Sequence, residues 1–148
     1  MKKLIGLILI FSSIVFFIGC SNDTENSPVD DKAKGVEYVV MENAPQDVEN
    51  IVSDIRKNRG FKIIDSEEKG NFIYIGLGEK PTGGYNIAVE EVEREENFIK
   101  ISIMEYQPKT DDMVTQALTY PYTIIKIEEE VEDIKVITTD GKELDSIK

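Results

Sequence analysis

"FIKISIMEY", Phe98 to Tyr106, puts Ile99, Ile101 and Ile103 on one side of an extended chain and Lys100 and Ser102 on the other. A period of two in β-branched residues is the pattern of a strand whose sheet has one buried and one wet face. Its neighbours repeat the period. "FKIID" (Phe61 to Asp65), "FIYIGL" (Phe72 to Leu77) and "YNIAVEEV" (Tyr85 to Val92) precede it, while "YTIIKIE" (Tyr122 to Glu128) and "IKVITT" (Ile134 to Thr139) follow. All are rich in β-branched and aromatic residues. "REEN" is short enough to close a hairpin onto Phe98–Tyr106, and Asp140-Gly141 marks another turn, back to "ELDSI".

One segment breaks the period. In "NAPQDVENIVSDIRKNRG", Val48, Ile51, Val52 and Ile55 recur at helical spacing, so a helix with one buried face is expected. Asn43 or Ala44 would cap it, with Pro45 in its first turn, Gln46 completing a capping box, and Asn58 to Gly60 as the stop. The expected fold is α+β and mainly antiparallel: a small β-sandwich or partly open barrel of about six to eight strands with one N-terminal helix, spanning residues 35–148.

The first 19 residues read differently. Lys2 and Lys3 lead an apolar run from Leu4 to Ile18, then Gly19, the build of an export signal. At about fifteen residues the run falls short of the roughly 20 that span a bilayer as a helix. Phe17-Ile18-Gly19-Cys20 resembles the lipobox of bacterial lipoproteins, with Phe17 where Leu is preferred. The resemblance implies cleavage before Cys20 and acylation of its thiol. Several acyl chains on one residue anchor a protein stably, which places the domain at the cell membrane, facing outside the cytoplasm. Residues 20–34 are then a lipidated cysteine and a polar linker. "SNDTENSPVDDKAK" holds one large aliphatic residue, Val29, and cannot bury a core. As a coil of about 15 residues it would reach on the order of 20 Å.

Charge and composition exclude several functions. The chain carries 17 basic and 29 acidic residues, a net charge of −12, and loss of the leader removes two lysines and no acids. Such a charge repels phosphate backbones, so nucleic acid is not an expected partner. The chain has no histidine, and its only cysteine is Cys20. Imidazole-dependent nucleophilic sites and ordinary zinc sites therefore lack their side chains, and no catalytic residue, metal or cofactor is assigned. Asp111-Asp112 cannot by itself supply the six to eight oxygens calcium takes.

"GEKPTGGYNIAVEEVE", Gly78 to Glu93, concentrates Pro81, Gly83 and Gly84 between two strands. The plain reading is a tight hairpin turn in which both glycines permit positive φ. A phosphate cradle would need a helix to follow, and a strand follows instead, so no nucleotide site is expected. The second reading is a rigid contact edge. Tyr85 stands beside the glycines, and "TYPYT", Thr119 to Thr123, sets Tyr120 and Tyr122 about Pro121. Rigid tyrosines on preorganised loops are common contact residues for protein partners. On this reading Pro81, Thr82, Gly83, Gly84, Tyr85, Tyr120, Pro121 and Tyr122 form a partner-binding surface.

"GEKPTGGYNIAVEEVE", "YQP" at Tyr106 to Pro108 and "TYPYTIIKI" at Thr119 to Ile127 come in an order and spacing that resembles the C-terminal domain of the protease complex subunit PrcB family, over roughly Phe61 to Ile127. The resemblance implies a non-catalytic lipoprotein subunit that stabilises or assists a surface serine protease. Two other readings stand beside it. "KPTGGY" is similar to the "NPTTGY" loop of chagasin-like cysteine protease inhibitors, although Lys80 and Gly83 depart from that pattern and Tyr122 would replace a tryptophan. A structural envelope lipoprotein with no protease partner is the third.

Overall fold

Strands with one apolar face can bury it only against another such face, and this chain does so by stacking two sheets. The computed structural model describes residues 34–148; Cys20, the leader and the linker up to residue 33 lie outside the described residues. The elements are β1 (Lys34–Gly35), β2 (Tyr38–Val40), α1 (Gln46–Ile55), β3 (Arg59–Ile64), β4 (Asn71–Leu77), β5 (Asn86–Arg94), β6 (Ile99–Tyr106), β7 (Tyr122–Ile127) and β8 (Ile134–Thr138). One sheet has the order β1-β5-β6-β8 and the other β2-β7-β4-β3. The fold is the expected mainly antiparallel α+β sandwich, with one parallel pair, β6 with β8.

Ile99, Ile101 and Ile103 of β6 face Ile73, Ile75 and Ile125 of the second sheet across the main core. The second sheet is covered on its outer face as well. There α1 lays Val48, Val52 and Ile55 on Ile64, Phe72, Tyr74 and Ile124. Burial on both faces explains why β4, "NFIYIGL", is apolar almost throughout while β6 alternates. In β5, Glu90 is the extra residue of a bulge between Val89 and Glu91, which returns Val92 to the core opposite Ile101.

Both long sides of the sandwich are laced by the first and last segments of the described residues. At one side β1 pairs with β5 of the first sheet and β2 pairs with β7 of the second. At the other, Glu143 bridges Ile137 in the first sheet, Leu144 enters the core, and Ser146 bridges Phe61 in the second.

Three local expectations are corrected. The helix has no capping box: its N-cap is Pro45, without a side-chain cap, and the Gln46 amide donates to Asn50 Oδ1 at 3.1 Å. Asn43 is not the N-cap and makes no side-chain bond to the first turn. Nor does Gly60 end the helix. The last turn closes at Arg56, and Arg59-Gly60 already belongs to β3, where a Cβ at Gly60 would collide with the carbonyl of Asp145 in the C-terminal segment. The third correction concerns Gly78 to Tyr85. This stretch is not a hairpin turn, because β4 and β5 belong to different sheets and the loop must carry the chain across the sandwich. The two expected hairpins do form, at Glu95–Phe98 and about Asp140-Gly141.

Candidate functional site

The chain crosses between the sheets twice at the same end, from β4 to β5 and back from β6 to β7, and the two crossings lie against each other. Lys80 and Thr119 exchange backbone hydrogen bonds of 2.9 and 3.0 Å, and Gly83 N donates to Thr115 O at 2.9 Å. The Thr119 hydroxyl donates to Thr82 O at 2.7 Å, and Leu77 N to Pro121 O at 2.9 Å. These bonds satisfy loop backbone that would otherwise be left without partners.

Glycine has two separate uses here. Gly78 and Gly84 adopt positive φ, +71° and +85°, and Gly83 does not, contrary to expectation. A Cβ on Gly84 would lie 2.8 Å from Val114 Cγ1 and 2.9 Å from Pro108 Cβ. Gly84 therefore marks where "PTGG" meets the "YQP" segment. A Cβ on Gly83 would reach Thr115 only at 3.5 Å, an ordinary contact.

The tyrosines have three different settings. Tyr85 is half-buried and packs on the main core, with Lys80 Nζ 5.3 Å from its ring centroid. Tyr120 donates its hydroxyl to Glu79 Oε2 at 3.1 Å, and the Arg56 guanidinium lies 5.1 Å from its ring. The bond to Glu79, with some burial, raises the Tyr120 pKa. Tyr122 is 38% exposed and tilts against Tyr74, centroid to centroid 5.6 Å. Burial raises the pKa of Tyr122, helped by Glu49 of the helix. Pro81 and Gly84 are exposed, whereas Thr82, Gly83 and Pro121 are partly covered.

The structure thus brings all eight sequence-selected residues to one end of the sandwich but gives Tyr85 a packing role. Sequence reasoning missed four neighbours. Arg56 comes from the helix C-cap and Tyr106 from the end of β6, while Met113 and Leu118 come from the return crossing. Of the large apolar side chains exposed among the described residues, Val39 and Val40 lie on the edge strand β2, and Tyr106, Met113, Leu118 and Tyr122 all lie at this end. The signal for Met113 and Leu118 was "MVTQAL", an apolar-containing run with neither strand nor helix period.

The opposite end is acidic. A hollow there of about 470 Å³ is lined by Arg94, Glu96, Glu129, Glu130, Glu132 and Asp133 among others. Arg94 pairs with Glu129 at 2.7 Å. Among the described residues no group of three His, Cys, Asp or Glu side chains is set to hold a metal ion. Asp112 instead closes its own turn, accepting from Lys109 N at 2.8 Å.

Residues 71–128 match the family model described as PrcB C-terminal. The family resemblance holds over that segment. The PrcB C-terminal match runs from the start of β4 to just past β7, and so contains both crossings and every signature residue between them. The helix, β3 and β8 lie outside it. No curated protein and no solved structure showed a match to the chain.

Proposed function

We propose that this chain is a non-catalytic binding subunit that stabilises or assists a protease at the cell surface, tethered to the membrane through lipid on Cys20. The observation that carries the reading is the convergence of the PrcB C-terminal signature on one end of the sandwich. There the two crossings are tied by backbone bonds, and Tyr106, Met113, Leu118 and Tyr122 are left exposed. A backbone already braced by such bonds loses little further entropy on docking, which suits a protein contact. The path of the chain supports the same arrangement. It enters the described domain at Lys34, opposite Arg94 at the far end of β5, and a nine-residue strand is roughly 30 Å long. A tether arriving there leaves the signature end free to face a partner.

The test is crosslinking in the protein's own membranes, with identification of the captured chain. A protease is expected in the wild-type capture. Met113→Ala combined with Leu118→Ala should cut that capture by about tenfold or more, as loss of an interface anchor does, with an unchanged melting temperature. Capture that ignores these two side chains, or contains no protease, would reject the reading. The inhibitor alternative uses the same end of the molecule and is separated by activity. A stabilised protease keeps or gains turnover when the purified chain is added, and an inhibited one loses it.

A further inference from the structure

β5 and β7 both start at the signature end, and β1 and β2 are antiparallel to them, so β1 and β2 both run toward that end. The chain lies beside β5 only as far as Val36, whose N–H donates to Val92 O at 2.9 Å, and then crosses to continue beside β7. From there to its start β5 has no strand on its outer edge. Ile103 of β6 stands opposite Val89 and turns its carbonyl away, to Thr139 N at 2.9 Å, so the peptide groups of Val89 point outward from the sheet. Among the described residues they make no hydrogen bond. The outward N–H of Ile87 is held at 2.8 Å by the Asn86 side chain, for want of a neighbouring strand. On the same side of the sandwich, Val40 of β2 pairs with Ile125 and shares its core-facing side, yet Val40 is 51% exposed while Ile125 is fully buried. Free peptide groups on one sheet and an uncovered apolar side chain on the other mark the place of a missing strand.

We propose that an extended segment of a partner protein adds to β5 at this place, with apolar side chains turned toward Val40 and Val89 and lysine or arginine on the alternate, wet positions. Main-chain bonds would hold it and alternate side chains would select it. Charge decides between occupants. Glu90 and Glu91 follow Val89 directly, Glu37 and Glu42 flank β2, and all four are exposed. They favour a basic segment. A second copy of this chain, with a net charge of −12, would instead bring the same acids to the joint. The edge lies on the side of the sandwich, apart from the two crossings, so its occupant need not be the chain captured at the signature end.

The probe is a short end-blocked peptide of alternating valine and lysine, titrated into the purified full-length chain. At saturation the Val89 amide, followed by NMR hydrogen exchange, should slow about tenfold or more as it becomes bonded. The Ala88 amide, which faces β6, should not change. N-methylation of alternate peptide amides should abolish binding in one of its two registers and spare it in the other, since only one set of amides can face β5. Glutamate in place of the peptide lysines, or Glu90→Gln combined with Glu91→Gln, should weaken binding about fivefold or more. Full-strength binding by both methylated peptides, by the glutamate peptide or by the doubly substituted chain overturns the proposal. So does a peptide that never binds, or one that binds without slowing the Val89 amide. Protection of Val89 that appears on raising the protein concentration alone would give the place to a second copy and overturn it likewise.

Discussion

Gly83 and Gly84 are adjacent and identical in sequence, yet only one of them is forced to be glycine. Gly84 combines φ of +85° with contacts to Val114 and Pro108, so Gly84→Ala should cost about 1–3 kcal/mol in denaturant unfolding. Gly83→Ala meets open contact distances and should change stability by no more than about 0.5 kcal/mol. Equal losses for the two would show that the crossings are not packed as described. The sequence made a proline-glycine turn legible at this place, but not which glycine takes the left-handed angle, because that depends on residues of the other crossing. Tyr74 carries a second residue-scale expectation. Burial, reinforced by Tyr122, pushes its pKa up to about 12 from an ordinary value of 10. A phenol is neutral when protonated, so the fold retains this proton after the unfolded chain has released it. The associated stability is complete below pH 10 and is lost as pH climbs toward about 12. Urea midpoints followed across that window should fall less steeply for Tyr74→Phe than for the wild type.

Elements were legible where their period was long enough to count. The six strands from Phe61 onward and the helix follow from spacing alone, with ends displaced by one or two residues. β1 and β2, of two and three residues, were not legible, since so short a run has no period and their pairing is fixed by β5 and β7. The parallel match of β6 with β8 was hidden for a related reason: the intervening β7 lies in the other sheet. For α1 the burial is graded across its apolar stripe. Val48, Val52 and Ile55 are buried, whereas Ile51 is only partly covered where it packs against them. Ile55→Ala should therefore cost about 2–5 kcal/mol, and Ile51→Ala nearer about 1 kcal/mol because less apolar area leaves water. Asp54→Ala, on the exposed face, should stay within about 0.5 kcal/mol. Thermal and denaturant unfolding of the three variants checks the order. Matching losses for Ile51 and Ile55 would mean that the helix is rotated relative to this packing.

At the scale of the whole molecule, the two sheets would have open edges on both sides if residues 34–40 and 141–148 did not cross between them. This closure was not legible from sequence, because "GKELDSIK" contains only two large apolar residues and its role depends on edges formed far upstream. The C-terminal segment does three things at once. Leu144 N donates to Val136 O at 2.8 Å beside β8, and the Leu144 side chain is buried in the main core. Asp145 O then accepts from Phe61 N at 3.0 Å, and Ile147 N donates to Phe61 O at 2.7 Å along β3. Truncating the side chain and removing the segment should therefore differ in kind. Leu144→Ala leaves the backbone bonds in place and should cost about 2–5 kcal/mol, the usual range for a buried leucine, with the protein still monodisperse. Deleting Leu144 to Lys148 removes the same side chain, unpairs Phe61 and exposes the edge of β3, and a bare apolar edge invites pairing with other chains. The deletion should melt lower than Leu144→Ala and, unlike it, form larger species in size-exclusion chromatography as concentration rises. A deletion variant that melts with Leu144→Ala and stays monodisperse would show that the edge of β3 needs no cover and that Leu144 alone secures this side of the sandwich.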